Sequence, residues 1–187
     1  MSEPPTPPPT AAEPPTAFAL GPWWGEAAGD WPADLLRRAV ERVVDPAHAT
    51  KTLHWGRNYL YLVHLDTPAG PVPAAVKQFR NDGPGRRLRR RLGGSKAERS
   101  WRAARALLAA GPERAGFATP EPLLLVESER PDGPSYFVTR HLDGVTEARY
   151  LLRAVNAGRA AEEYPEVDAA AFLAALGRAA RRLHDAG

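Results

Sequence analysis

Residues 58–79 read NYLYLVHLDTPAGPVPAAVKQF, and the reading of this stretch decides the fold. Tyr59, Tyr61, Val63 and Leu65 recur at every second position, the period of a β-strand with one buried face, over about eight residues. Pro68 to Pro71 (PAGP) form a turn, because proline presets one backbone angle and glycine tolerates the rest. Residues 72–79 then return as a second strand. Alternation places Ala75, Lys77 and Phe79 on one face and Ala74 and Val76 on the other. A lysine inside so apolar a strand is the feature that has to be explained.

Downstream, SKAERSWRAARALLAAG (95–111) has helical period, with Ala97, Trp101, Ala104 and Leu108 as its apolar stripe. Ser95 is placed to cap it, Glu98 to complete a capping box three residues on, and Gly111 to end it. EPLLLVESER (121–130) and PSYFVTRHLDG (134–144) read as a second hairpin around PDG. From TEARYLLRAV (146–155) onward the chain is helical, with a loop over 156–167 and a long helix from near Asp168, whose apolar face carries Phe172, Leu176, Ala179 and Leu183. Upstream, residues 1–17 are Pro, Thr, Glu and Ala with little to bury, which predicts a disordered or polyproline-II-like tail. Trp23, Trp24 and Trp31 surround a helix predicted over 32–44, with Leu35, Leu36, Ala39, Val40 and Val43 on one face. Two hairpins separated by one helix predict an α+β fold: about five antiparallel strands over 50–145 with the 95–110 helix against them. The division is a tail (1–17), a Trp-rich segment and helix (18–48), the sheet domain (49–145) and a helical portion (146–187).

The totals narrow the function classes. The chain has 187 residues, 43% of them hydrophobic, enough for a packed core. It has no cysteine, so disulfides, thiolate catalysis and cysteine zinc sites are excluded. Histidines 48, 54, 64, 141 and 184 show no metal spacing. A net charge of +3 is mild for a nucleic-acid binder, and no nucleic-acid module is recognisable. Arg86, Arg87, Arg89, Arg90 and Arg91 crowd one glycine-flanked connection, read as a solvated loop with a polyanion or anionic membrane surface as the alternative occupant. No apolar run reaches membrane-spanning length and the first residues lack signal-peptide character, so the expected location is cytoplasmic, with peripheral contact at the inner membrane face allowed.

Lys77 and Glu98 carry the chemistry. An isolated strand lysine ordinarily faces solvent or a sheet edge, and a glutamate at the third helical position ordinarily serves the cap. In their order within hairpin, helix and hairpin they form a candidate partly desolvated pair, with nitrogen and oxygen within about 4 Å. Here AAVKQF (74–79), GSKAERSWRAARALLAAG (94–111), ATPEPLLLVE (118–127), SYFVTRHLDG (135–144) and LGRAARRLHDAG (176–187) resemble the protein-kinase-like superfamily. The nearest likeness is to the lipopolysaccharide kinases that phosphorylate Kdo or heptose sugars, and it covers about residues 50–187.

The resemblance implies an ATP-dependent transfer of a phosphoryl group to a sugar hydroxyl. Lys77 would contact the α- and β-phosphates, Glu98 would position Lys77, and Ala75 would lie under the adenine. Thr139, Arg140 and His141 would lead into the hinge that meets the adenine edge, while Gly56 and Arg57 would turn over the phosphates. Two departures qualify it. LHWGRNYLYLV (53–63) has one glycine where such kinases carry a glycine-rich loop. RRLHDAG (181–187) matches the helix end that precedes the catalytic loop, so the resemblance supplies no catalytic Asp and no Asp or Asn for magnesium. The expectation is a kinase-like N-lobe with the first helices of a C-lobe, inactive by itself. The alternative is a non-catalytic interaction or nucleotide-binding module that pairs with a partner chain.

Overall fold

A computed structural model describes residues 14–56, 58–80, 93–115 and 118–185. The chain divides into two units, residues 1–109 with 119–141 and residues 110–118 with 142–187. The first is α+β. Its strands are β1 (Thr16–Leu20), β2 (Trp23–Ala27), β3 (Lys51–Trp55), β4 (Asn58–Thr67), β5 (Gly70–Phe79), β6 (Pro122–Ser128) and β7 (Ser135–Arg140). They form one seven-stranded antiparallel sheet in the order β1-β2-β6-β7-β5-β4-β3. The five strands expected over 50–145 are β3 to β7. The Trp-rich segment adds β1 and β2 to the same sheet at the β6 side.

Each sheet face takes one helix. Helix α1 (Ala33–Val44) buries Leu36, Ala39, Val40 and Val43 against Tyr61, Val63, Ala74, Val76, Val126 and Val138. Leucine and valine at helical spacing meet β-branched residues at period two, and the stripe closes one face of the sheet. Two tyrosines finish this packing. The hydroxyls of Tyr61 and Tyr136 donate to the carbonyls of Val43 and Val44, satisfying acceptors that the end of α1 leaves open.

Burial raises both phenols above their ordinary pKa, with Asp45 and, for Tyr61, also Tyr136 adding repulsion to the anion; Tyr136 is pushed up to about 12. A tyrosine kept neutral in the folded chain ionises first in the unfolded one. Its contribution is therefore complete below about pH 10 and lost as pH rises toward about 12. We expect stability to fall above pH 10 by up to about 1.4 kcal/mol per pH unit for each of the two phenols. Urea midpoints across that range check this, and Tyr136→Phe should flatten the slope even though it lowers the plateau. An unchanged slope in that variant would remove Tyr136 from the account.

Helix α2 (Lys96–Ala115) lies on the other face, where Ala97 and Trp101 pack with Phe79 and Leu125. It is interrupted at Gly111, whose φ of 74° and ψ of 158° are not helical, at the position where the sequence predicted its end.

The second unit contains α3 (Ala148–Asn156), α4 (Ala160–Glu163) and α5 (Ala169–Asp185). Leu151, Ala154 and Ala160 form its core, with Val155, Tyr164, Val167, Ala169 and Phe172 packed around them. Asp168 caps α5 by accepting from the N–H groups of Ala170 (2.9 Å) and Ala171 (3.0 Å). Phe172 turns into this core, whereas Leu173 and Leu176 are exposed. No helix among the described residues is long and apolar enough to cross a membrane. Of the disordered tail expected over 1–17, residues 1–13 lie outside the described residues, as do Arg57, the arginines at 86–91 and the side chain of Leu183, whereas Thr16 and Ala17 already belong to β1.

Candidate functional site

Lys77 sits on β5 between Leu60 of β4 and Phe137 of β7, its cross-strand partners. It shares its face with Phe79, which packs against α2, so the lysine and the helix occupy the same side of the sheet. The Lys77 side chain is exposed, and its Nζ lies 5.3 Å from the centroid of the Phe79 ring, a cation–π contact.

Glu98 does not reach it. The capping box forms as the sequence predicted: Glu98 N–H donates to Ser95 Oγ at 2.9 Å, and Ser95 N–H donates to Glu98 Oε2 at 3.3 Å. The other carboxylate oxygen, Oε1, takes Arg102 one turn further along the helix. Gly94 leaves room for this arrangement, since a Cβ there would lie 2.0 Å from Glu98 Oε2, and its φ of 71° suits glycine. Both oxygens are thus engaged within the first turns of α2, and among the described residues no ion pair joins Glu98 to Lys77. The expected 4 Å pair is corrected: local capping and an i,i+4 partner satisfy the carboxylate where a strand lysine was assigned to do so.

Other residues assigned from the sequence fall into two groups. Ala75 pairs with Leu62 on one side and Thr139 on the other, and all three are half-buried on the Lys77 face. With Leu60 and Phe137 they make a largely apolar shelf on the sheet face that carries Lys77, whose ammonium lies over Phe79. Arg140 and His141 are committed elsewhere. Arg140 donates its backbone N–H to Glu121 O (2.8 Å) and pairs its guanidinium with Glu121 Oε2 (2.7 Å). His141 N–H donates to Pro73 O at 2.9 Å. Neither N–H is left to meet an adenine edge. Gly56 is exposed beyond β3, and a Cβ there would come 2.7 Å from the His54 ring nitrogen.

Two polar contacts around α2 were not foreseen. Glu127 on β6 is 1% exposed and accepts a hydrogen bond from the Ser95 hydroxyl. Ser95 thereby donates its hydroxyl proton to the sheet while its oxygen caps the helix. On β2, Glu26 accepts from the indole N–H of Trp101 at 2.6 Å. The signal for Glu127 was present in the sequence, a carboxylate inside the apolar run PLLLVES. No such signal marked Glu26. Among the described residues no group of three His, Cys, Asp or Glu converges as a metal site. No family model matches the chain, and neither the curated proteins nor the solved structures provide a match.

Proposed function

We propose that the chain is a non-catalytic binding module whose sheet takes a nucleotide, with the phosphates at Lys77 and the base on the shelf of Leu62, Ala75 and Thr139. One observation carries this reading: Lys77 is an exposed cation on the same sheet face as the half-buried shelf, while Glu98 is engaged by Ser95 and Arg102. A flat ring and a polyanion are the two chemical parts that such a surface complements. A compact ammonium suits phosphate oxygens, and charge-assisted hydrogen bonds of this kind contribute about 1.5–3 kcal/mol. The same arrangement argues against phosphoryl transfer by these residues, because the lysine lacks the carboxylate that would hold it in line. The resemblance to sugar kinases supports nucleotide as the ligand class. A sugar acceptor, magnesium and a complementary partner chain remain part of that likeness.

Titration of the purified chain with a fluorescent ATP analogue, displaced by ATP and ADP, tests the proposal. Lys77→Ala should weaken binding about tenfold or more, and added salt should weaken the native chain's binding. Glu98→Gln should leave the affinity within about twofold, since Glu98 does not support Lys77 here. The absence of saturable binding would overturn the reading. Transfer of labelled phosphate to a Kdo-containing acceptor, abolished by Lys77→Ala, would replace it with the phosphotransferase.

A further inference from the structure

Building on the nucleotide reading, we propose that Phe79 is the residue that positions the Lys77 ammonium for the phosphates, through the face of its ring. Alternation along β5 puts the two side chains on one face of the sheet, two residues apart. The long lysine leans along its strand toward Phe79, and Nζ stands 5.3 Å from the ring centroid, inside the roughly 6 Å reach of a cation–π attraction. The ring is not free to follow the lysine. Phe79 is 4% exposed and packs with Ala97 and Trp101 of α2 and with Leu125 of β6. The exposed cation is therefore the adaptable member of the contact, and the buried ring is the fixed one.

Among the described residues no carboxylate pairs with Lys77, and Glu98 is taken by Ser95 and Arg102. What holds the ammonium decides what it can still do. A carboxylate partner would cancel its charge and occupy some of its N–H donors. A ring face attracts the cation through its quadrupole, leaves the charge whole and leaves the outward donors open to phosphate oxygens. A lysine already resting on a ring has also given up part of the rotamer freedom that binding would otherwise take from it. The contact fixes the direction of the ligand as well. Phe79 draws the ammonium toward the end of β5, so the phosphates lie there, while Leu62, Ala75 and Thr139 lie on the opposite side of Lys77 for the base.

The contact and its use are measured separately on the full chain. Lysines occur only at 51, 77 and 96, so their ε-methylene signals can be resolved and assigned by proton–carbon NMR. Protons above a ring are shielded by its current, and the Lys77 ε-methylene should resonate upfield of the other two without any ligand. That measurement needs no variant and stands even where a substitution misfolds. Phe79→Leu keeps an apolar side chain without the ring; it should return the signal to the position of the others and weaken the fluorescent ATP analogue about two- to fivefold. In a Lys77→Ala chain the same substitution should cost no further affinity, because the ring acts through the lysine. A Lys77 signal coincident with those of Lys51 and Lys96 would overturn the proposal. So would a folded Phe79→Leu chain that binds as the native one does, or an equal loss with and without Lys77, which would make Phe79 a packing residue only. An upfield Lys77 signal in a native chain that shows no saturable binding would instead remove the nucleotide reading, and the positioning role with it, while leaving the contact itself established.

Discussion

Replacing Trp101 with alanine should destabilise the sheet unit by about 3–5 kcal/mol, a large part of the roughly 5–15 kcal/mol that holds a domain together. The ring is 1% exposed and packs with Phe79, Ala97 and Leu125, so its removal leaves a cavity under α2. It also removes the donor to Glu26 and leaves that carboxylate to find another partner. Trp101→Phe separates these effects. It retains most of the apolar volume, and its smaller loss, about 1.5–3 kcal/mol for a hydrogen bond to a charged group, reports on Glu26. Denaturant unfolding gives the magnitudes, and amide exchange along α2 gives the location, because the capping turn at Ser95 and Glu98 should open with the helix. A loss below about 1 kcal/mol for Trp101→Ala would mean that α2 is not anchored through this ring.

The fold was largely legible because its decisive elements announce themselves locally. Period two in 58–79 fixed both strands and the faces of Lys77 and Phe79. The Ser95 to Glu98 spacing gave the start of α2, and Gly111 its interruption. What escaped was the pair β1 and β2. Residues 16–27 include four Trp or Phe and Leu side chains among small residues without clean alternation, and the strands exist because β2 pairs with β6, about a hundred residues away. Pairing of that kind is a tertiary fact that local propensity does not carry. Trp23 and Trp24, read only as flanking the helix over 32–44, are strand residues of the sheet itself.

The candidate site was legible in position and misread in wiring. Ala75, Lys77 and Thr139 do gather on one face, since strand alternation and hairpin order dictate it. Glu98 could serve either the cap or the lysine, and spacing alone does not choose between them. The competition is decided by reach: Ser95 and Arg102 lie within one turn on the same helix, and neither needs the carboxylate to cross to the sheet. The ordinary capping role of a glutamate at that position accounts for its contacts. Buried Glu127 was passed over because a strand reading scores apolar residues and treats an exception as an edge, whereas this strand is covered on both faces.

Gly25→Ala should be the other large loss, at or above the upper end of the roughly 1–3 kcal/mol typical of overpacking. Gly25 lies in β2 opposite Val126 of β6 and Phe18 of β1. A Cβ built on it would stand 1.9 Å from the Leu125 carbonyl oxygen and 2.9 Å from its carbon, with the Phe18 ring at 3.1 Å. The Phe18 ring can rotate away, but the Leu125 carbonyl is backbone within the sheet and has no such freedom. The strands must therefore separate, and β1, whose sheet partner is β2, should loosen with it. Because Glu26 is the next residue, the displacement also draws its carboxylate from Trp101 and couples this edge of the sheet to α2. Amide exchange should accelerate in β1 and β2 and, more weakly, in the first turns of α2, while α1 and the β4–β5 hairpin stay protected. The nucleotide affinity proposed for the sheet should change little, because Lys77 and its shelf belong to β4, β5 and β7. A variant as stable as the native chain to within about 0.5 kcal/mol would show that β2 does not approach β6 this closely.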